Sequence, residues 1–351
     1  MNKSRHIFTV VLAAVGGALL LAGAALFLVG LALEGWDVGA LTSLRYEQRS
    51  YTAAGEIHTL SLRLENARVR VEVEEGAERV TLSYPVPVGR DGEQTAAVEI
   101  AEADGTLTVE EGSGGSLLLW GLIRTPEAVL TLPAGRYENI DIASANGEIA
   151  AVGVQAAALT LEASNGDIRA EGTDADELSL RTGSGDIRLA DVSGKSIAAQ
   201  TDAGDIAADG AEAEGALELC SSLGDIEAQD AAAGSLSFRT NAGSISLDGA
   251  RVAGEASLQT DLGEIRVRGA TAASAALTAD FGAIDAEIDA QTVRLESGSG
   301  EIRARLAGDK EDYTIRVQTG LGSCNVVDRD GGGRSLTAVT ELGSIRVDFA
   351  G

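Results

Sequence analysis

The sequence predicts an all-β protein: a β-solenoid of about eleven coils of 18–22 residues, preceded by an irregular β capping region and one N-terminal transmembrane helix. Three observations predict this fold. A short glycine-centred phrase returns eleven times, apolar and polar residues alternate on both sides of it, and an uncharged run of 27 residues stands near the N-terminus. A repeat of about 20 residues is typical of solenoids, whose coils bury their apolar faces only against neighbouring coils.

The repeat is clearest at its glycine. Ser164–Ile168 reads SNGDI, Gly183–Ile187 reads GSGDI and Ser222–Ile226 reads SLGDI. Successive shared glycines are 18 to 22 residues apart, which predicts one structural unit stacked many times along an axis. The eleven glycines are Gly147, Gly166, Gly185, Gly204, Gly224, Gly243, Gly263, Gly282, Gly300, Gly322 and Gly343.

Each repeat predicts two short strands joined by a turn. Residues 178–182 alternate between apolar and polar before the glycine, and residues 186–189 do so after it. Alternation with period two predicts a strand with one buried face, and the glycine supplies a backbone conformation that other residues avoid. The glycine interruptions leave no helical apolar spacing in this region.

The ends of the array differ from each other. Residues 51–137 contain longer alternating runs, such as 60–64 and 69–73, and are expected to cover the first coil and hide its edge strands. The last strand, 345–349, has no such cover in the sequence. The C-terminal coil is therefore expected to be outermost, with an edge available for self-association.

The N-terminal run Ile7–Leu33 is uncharged and would span about 40 Å as a helix, more than the roughly 30 Å hydrocarbon core. Lys3 and Arg5 precede it and Glu34 and Asp37 follow it, so the positive-inside rule puts the N-terminus in the cytoplasm. The predicted organisation is a cytoplasmic tail (1–6), a transmembrane helix (7–33), a linker (34–50), a β capping region (51–137) and an extracytoplasmic β-solenoid (138–351).

Charge excludes two classes of partner for the region after the anchor. The net charge is −27, whereas nucleic-acid binding and docking on anionic lipid both depend on clustered Lys and Arg. The 44 glycines and the 3% of aromatic residues favour tight turns and a narrow interior over a thick globular core.

Two polar columns follow from the repeat. The acidic one, directly after the glycine, is expected to point outward and to pair with arginines two positions on; a solvated face is favoured over a Ca²⁺ ladder. The hydroxyl one, three residues before the glycine, is expected to point inward and bond the backbone, rather than to form an exposed ice-binding array. The acids are Glu148, Asp167, Asp186, Asp205, Asp225, Glu264 and Glu301, the arginines Arg169, Arg188, Arg266, Arg303 and Arg346, and the hydroxyl residues Ser144, Thr182, Thr201, Ser221, Thr240, Thr260, Ser297, Thr319 and Thr340.

No catalytic, cofactor-binding or metal-binding residue is predicted. The chain has two histidines, and Cys220 and Cys324 are expected to be unpaired and five coils apart. A glycan-active β-helix enzyme would need clustered carboxylates of tuned pKa and exposed aromatic side chains, whereas here the acids are dispersed. The apolar segment 116–123, with Trp120, is expected in a buried strand or loop of the capping region; the alternative is an exposed apolar patch for a partner or for the membrane surface.

The lead-in TLPAG (131–135), followed by IDIASANGEI (140–149) and serial GDI repeats, resembles the bacterial "putative adhesin" family of β-strand-repeat proteins. The resemblance covers roughly 59–351. It implies a solenoid fold in the bacterial cell envelope and no catalytic residues, and the family is catalogued as a domain of unknown function. An association of relatives with envelope-stress regulation implies a signalling or accessory role beside adhesion.

The functional hypothesis is a non-catalytic, membrane-anchored, extracytoplasmic β-solenoid for envelope contact or envelope-stress sensing. Its partner would be an envelope protein or a cell-surface component, and no cofactor is expected. The alternatives are a glycan-active β-helix enzyme and a self-associating scaffold. A cytoplasmic tail of six residues is too short for a signalling domain, so any inward signal would need a second membrane protein.

Overall fold

The computed structural model describes residues 45–88, 97–112 and 126–350. By its contacts the chain divides into two units, and the coils lie in the larger one, Gln48–Pro85, Val98–Ser113 and Pro126–Gly351. The smaller unit, Met1–Glu47, Val86–Ala97 and Gly114–Thr125, falls mostly outside the described residues.

The described residues form 28 strands and one short 3-10 helix, Lys310–Asp312. The strands before the glycine repeats are β1 (Arg45–Thr52), β2 (Thr59–Leu64), β3 (Arg68–Glu74), β4 (Thr81–Val88), β5 (Val98–Ala103), β6 (Thr106–Glu111) and β7 (Glu127–Pro133). The strands of the repeats are β8 (Arg136–Asn146), β9 (Ile149–Val152), β10 (Gln155–Asn165), β11 (Ile168–Glu171), β12 (Asp174–Ser184), β13 (Ile187–Ala190), β14 (Ser193–Gly194), β15 (Ser196–Ala203), β16 (Ile206–Asp209), β17 (Glu212–Leu223), β18 (Ile226–Gln229), β19 (Ala232–Ala242), β20 (Ile245–Asp248), β21 (Arg251–Val252), β22 (Glu255–Leu262), β23 (Ile265–Phe281), β24 (Ile284–Ser299), β25 (Ile302–Ala307), β26 (Tyr313–Leu321), β27 (Arg334–Leu342) and β28 (Ile345–Ala350).

No helix among the described residues is long and apolar enough to cross a membrane. The transmembrane helix predicted at Ile7–Leu33 and the apolar segment 116–123 both lie outside the described residues.

The repeats stack as parallel coils. The strand before each glycine pairs with the same strand of the next coil, as Leu159 does with Leu178, and the short strand after the glycine does likewise, as Ile168 does with Ile187. The predicted β-solenoid of about eleven turns is therefore confirmed.

The core is a narrow column of aliphatic side chains. The isoleucine two positions after the glycine points inward in ten of the eleven repeats, and Ile187, Ile245 and Ile302 are among those fully buried. Leucines of the preceding strand, such as Leu180, face them from the other side of the turn. Because each coil is thin, these side chains leave water only when coils lie on both sides.

The stack continues into the predicted capping region. Strands β2 and β3 form a further coil, in which Leu60 pairs with Ile140 and Val69 pairs with Ile149. Strands β6 and β7 lie on the outer side of β2 and β3, although they come later in the chain. Antiparallel pairing of β5 with β6 and of β4 with β7 then covers that outer coil.

The C-terminal coils are also out of chain order. Strand β27 lies between β24 and β26, and β28 pairs with β25, so the last coil of the chain is inserted inside the stack. The expectation that this coil is outermost is wrong. The physical reason is the segment 322–333, which crosses the open side of β26 and returns the chain inward. Gly332 passes so close to Tyr313 that a Cβ there would lie 2.2 Å from the Tyr313 carbonyl carbon.

The returning segment also satisfies exposed strand edges. Arg329 and Ile315 exchange two backbone hydrogen bonds of 2.9 and 3.0 Å, and the Asp328 carboxylate accepts the N–H of Val317 at 2.9 Å. The Asn325 side chain bonds the backbone of Val347. The C-terminal edges in this part of the solenoid are therefore partly closed by the chain itself.

Candidate functional site

The turn that carries the repeated glycine forms a continuous corner along the solenoid. Gly224 has a φ of +153°, and a Cβ on it would lie 2.0 Å from the carbonyl oxygen of Gly204 in the preceding coil. The other turn glycines show the same close approach, and Gly343 stacks on Gly300 while Gly322 stacks on Gly343. The corner is therefore a place where backbones touch, and no larger residue fits there.

The hydroxyl column lies on the inner side of this corner, as predicted. Each of the nine Ser and Thr side chains donates a hydrogen bond to the carbonyl oxygen of the turn residue in the neighbouring coil, such as Thr240 to Gly224 at 2.9 Å. Thr319 bonds Gly343 and Thr340 bonds Gly300, which follows the exchanged order of the last coils. These hydroxyls are structural because each completes a backbone group that the turn leaves without a ladder partner.

The acidic column lies on the outer side and divides by side-chain length. Asp167, Asp186, Asp205 and Asp225 each accept the backbone N–H of the equivalent residue in the next coil, at 2.7 to 2.9 Å. The longer Glu264 and Glu301 instead pair with arginines two positions on, Arg266 and Arg303.

The expected arginine pairing therefore holds only for part of the column. Glu148 pairs with Arg68 of the coil formed by β2 and β3, while Arg169 and Arg346 pair with Glu171 and Asp348. Aspartates bond backbone because their carboxylate reaches only as far as the next turn. Among the described residues no three His, Cys, Asp or Glu side chains converge as metal ligands would.

The two cysteines are free, as predicted. Cys220 lies in β17, and Cys324 forms an isolated parallel β-bridge with Ile345, the first residue of β28. The register puts six coil steps between them instead of the expected five, because the C-terminal coil is inserted before the one with Cys324. Six steps of about 4.8 Å far exceed the reach of a disulfide.

A shallow groove crosses the long strands on another face of the larger unit, over small residues such as Gly194, Ala213 and Ala233. At one end, Arg136 reaches across β10 to bond Asp174 at 2.7 Å and Asp176 at 2.6 Å. Lys195 also bonds Asp176, at 3.1 Å.

These bonds fix the charge of the groove. Hydrogen bonds from Arg136 and then Ser193 hold the pKa of Asp174 below its usual value, and Lys195 together with Arg136 does the same for the pKa of Asp176. Both carboxylates are therefore ionised at neutral pH and have no proton to donate, whereas a general acid for glycan cleavage needs a raised pKa. The arrangement braces neighbouring coils and offers no acid–base pair.

Sequence reasoning missed a further column, formed by the residue directly before each turn glycine. At the N-terminal end it is an amide ladder, in which Asn165 donates to Asn146 at 3.2 Å and Asn146 donates to Asn66 at 3.0 Å. Further along it becomes apolar and exposed, with Leu223, Leu262, Phe281, Leu342 and Leu321 each at least half exposed. The signal was present in the sequence as SLGDI, DLGEI, DFGAI, ELGSI and GLGSC.

A family model described as Toastrack DUF4097 matches residues 57–219 and 216–344. A comparison with curated proteins found no match to this chain.

Solved structures that resemble the chain include three bacterial proteins. A "putative cell adhesion protein" from Clostridium sporogenes is 11% identical, covers 87% of this chain and 100% of its own, and has a TM-score of 0.23. A "putative adhesin" from Bacteroides fragilis is 14% identical over 86% of this chain and 97% of its own, with a TM-score of 0.27. Another "putative adhesin", from Parabacteroides distasonis, is 12% identical over 87% of this chain and 97% of its own, with a TM-score of 0.29. At these TM-scores the likeness supports no functional argument.

Proposed function

Since this chain belongs to the Toastrack DUF4097 family, we propose that it is a non-catalytic, adhesin-like β-solenoid. In this proposal the N-terminal helix anchors it in a bacterial cell membrane, and the solenoid contacts a partner outside the cytoplasm. The observation that carries the proposal is the continuous stack itself, whose corner repeats the same outward positions from coil to coil. Such a surface suits extended contact.

The chemistry of the described residues supports a binding role over a catalytic one. The groove carboxylates have lowered pKa values, and the acidic column is engaged by backbone N–H groups or by arginines. Neither set provides the paired acid and base that a glycan-active enzyme needs.

The anchor rests on the sequence of residues 7–33 and on the charges that flank it. The proposed topology is tested by protease treatment of intact spheroplasts that contain the full chain with a tag at its C-terminus. Loss of the tag without lysis is expected, whereas protection of the tag would overturn the proposed topology.

Partner contact is tested by crosslinking the full chain in cells and identifying what is captured by mass spectrometry. A variant that lacks 138–351 serves as the control. Reproducible capture that is lost in the control is expected. A captured regulatory membrane protein would favour envelope-stress sensing, and a surface component of another cell would favour adhesion. Equal capture by both proteins, or none, would contradict the proposal.

A further inference from the structure

We propose that the apolar part of the pre-glycine column binds a basic amphipathic α-helix of a partner protein. This inference rests on the proposed contact function and names the surface and the partner chemistry. The surface, called the ridge below, consists of Leu223, Leu262, Phe281, Leu342 and Leu321, with exposed fractions of 60, 55, 65, 51 and 71%.

The ridge is not required by the fold. The same column position is filled by Asn146 and Asn165 in earlier coils, where amide side chains hydrogen bond to each other on an equally regular stack. Five large apolar side chains on one exposed line each leave at least half of their surface in water in the isolated chain. A line of large exposed apolar side chains of this kind is typical of an interaction site.

The spacing of the ridge fits a helix. The strand register places Ala242 between Leu223 and Leu262, sets Phe281 beside Leu262, and places Ser299 between Phe281 and Leu342, with Leu321 last. Neighbouring ridge side chains are therefore one or two coil steps apart, about 4.8 or 9.6 Å. Helix residues at i+3 or i+4 and at i+7 rise by about 5 and 10.5 Å, whereas alternate residues of a strand are about 6.6 Å apart.

The length is also suitable. Six coil steps from Leu223 to Leu321 give about 29 Å, which corresponds to about 20 residues of α-helix. An added β-strand would instead need free backbone groups along the corner, and these are used between coils: the Gly224 N–H, for example, bonds the Ala242 carbonyl at 3.0 Å.

Carboxylates beside the ridge indicate which charges the partner helix carries next to its apolar seam. Asp261, Asp280 and Glu341 lie two residues before the turn glycine, beside the ridge, and among the described residues none of them has a cationic partner. Asp225, directly after Gly224, lies on the other side of the ridge beside Leu223. With a net charge of −27, a second copy or an anionic lipid surface would be repelled, whereas Lys and Arg beside an apolar seam would be attracted.

The first test uses the full chain in nanodiscs of zwitterionic lipid, with empty nanodiscs as background. The probe is a labelled 20-residue helical peptide with Leu along one seam and Lys beside it. Controls are a peptide of the same composition without the seam and a peptide with Glu in place of Lys. Saturable binding of the first peptide only, weakened by added salt, is expected.

The test variant carries both Leu262→Asn and Phe281→Asn, since asparagine already occupies this column at Asn146. At least a tenfold loss of peptide affinity is expected. Val152→Asn is the matched control, because Val152 is also exposed, at 40%, but lies off the ridge. Ser299→Leu fills a gap in the ridge and is expected to tighten binding. Equal affinity across these variants would overturn the inference.

Other occupants of the ridge would be recognised in the same experiment. Ridge-dependent binding of the nanodisc-embedded chain to added zwitterionic vesicles, without peptide binding, would assign the ridge to lipid. A ridge-dependent increase of mass with concentration would assign it to a second copy. Either result overturns the helix proposal.

The in-cell crosslinking separates this inference from the proposed function. Capture that is lost in Leu262→Asn/Phe281→Asn but kept in Val152→Asn supports both the proposed function and the ridge as its contact surface. Capture that is unchanged in the ridge variant but lost without 138–351 leaves the proposed function standing and overturns the ridge as its surface. Absence of any capture contradicts the proposed function, and peptide binding then decides the ridge alone.

Discussion

Asn325 closes the edge beside Val347 as a neighbouring strand would. Its side-chain Oδ1 accepts the Val347 N–H at 2.8 Å, and its Nδ2 donates to the Val347 carbonyl at 2.9 Å. One amide side chain thus replaces the two backbone bonds that another coil would make. This matters because a bare parallel edge invites pairing with another chain.

Asn325→Ala should therefore open the β28 edge. Loss of the two hydrogen bonds is expected to lower the free energy of unfolding by about 1–3 kcal/mol and to produce concentration-dependent association. Sedimentation velocity over a range of concentrations measures the second effect. Asn241→Ala, at an exposed position away from this edge, is the control. A variant that stays monomeric at every concentration would show that Asn325 does not guard against self-association.

Gly224→Ala tests whether the corner requires glycine because of the neighbouring coil. A Cβ would meet the Gly204 carbonyl oxygen at 2.0 Å, so the coils must separate. We expect a cost of about 3 kcal/mol or more, since overpacking adds to the backbone penalty. Gly172→Ala is the control, because its φ is +56° but its Cβ would have no neighbour within 4 Å, and it should cost only about 1–2 kcal/mol. Equal urea midpoints for the two variants would refute the steric explanation.

Thr240→Val tests the hydroxyl column. The change keeps the shape of a fully buried side chain but removes the donor to the Gly224 carbonyl, so a buried acceptor loses its partner. The expected cost is about 1–3 kcal/mol in the free energy of unfolding. Thr292→Val, on an exposed strand position, should change it by less than about 0.5 kcal/mol. A neutral result for Thr240→Val would mean that water or a shifted backbone replaces the hydroxyl.

The repeat made much of the fold predictable, because each coil depends mainly on its neighbours. The inward isoleucine, the turn glycine and the inward hydroxyl of Thr240 all follow from period and parity within one coil, and the family predicted from TLPAG and GDI is confirmed by the match over 57–219 and 216–344.

The exchanged coils were not predictable in this way. Whether β27 lies outside or inside β26 depends on the path of 322–333, which is set by contacts such as those of Arg329 with Ile315 and of Gly332 with Tyr313. No repeat pattern encodes that path. The ridge was not predictable from the repeat for another reason: the residue before the glycine varies from Asn to Phe, so this position has no repeated residue type that would mark it as a column.

Two glutamates of the paired strands β5 and β6 predict opposite responses to pH. Burial raises the pKa of Glu111, although its carboxylate accepts the Glu65 N–H at 2.8 Å. The N–H of Ala54, the Tyr51 hydroxyl and the N–H of Gly55 lower the pKa of Glu102 by bonding its carboxylate. A group whose pKa is raised by folding contributes stability that is present below its unfolded-state pKa and is lost as the pH rises through its folded-state pKa. A group whose pKa is lowered by folding contributes stability that is present above its unfolded-state pKa and is lost as the pH falls through its folded-state pKa.

Glu111→Gln should therefore raise the melting temperature at pH 7, because glutamine keeps an oxygen for the Glu65 N–H without a buried charge. The gain should shrink towards zero as the pH falls below about 4, where the wild-type carboxyl becomes protonated in both the folded and the unfolded state. Glu102→Gln should do the reverse: it lowers the melting temperature at pH 7 by weakening three charge-assisted bonds, and the loss shrinks as the pH falls. Thermal melts of both variants from pH 3.5 to 8 measure the difference. If the two variants shift in the same direction at pH 7, the assignment of burial to Glu111 and of hydrogen bonding to Glu102 is wrong.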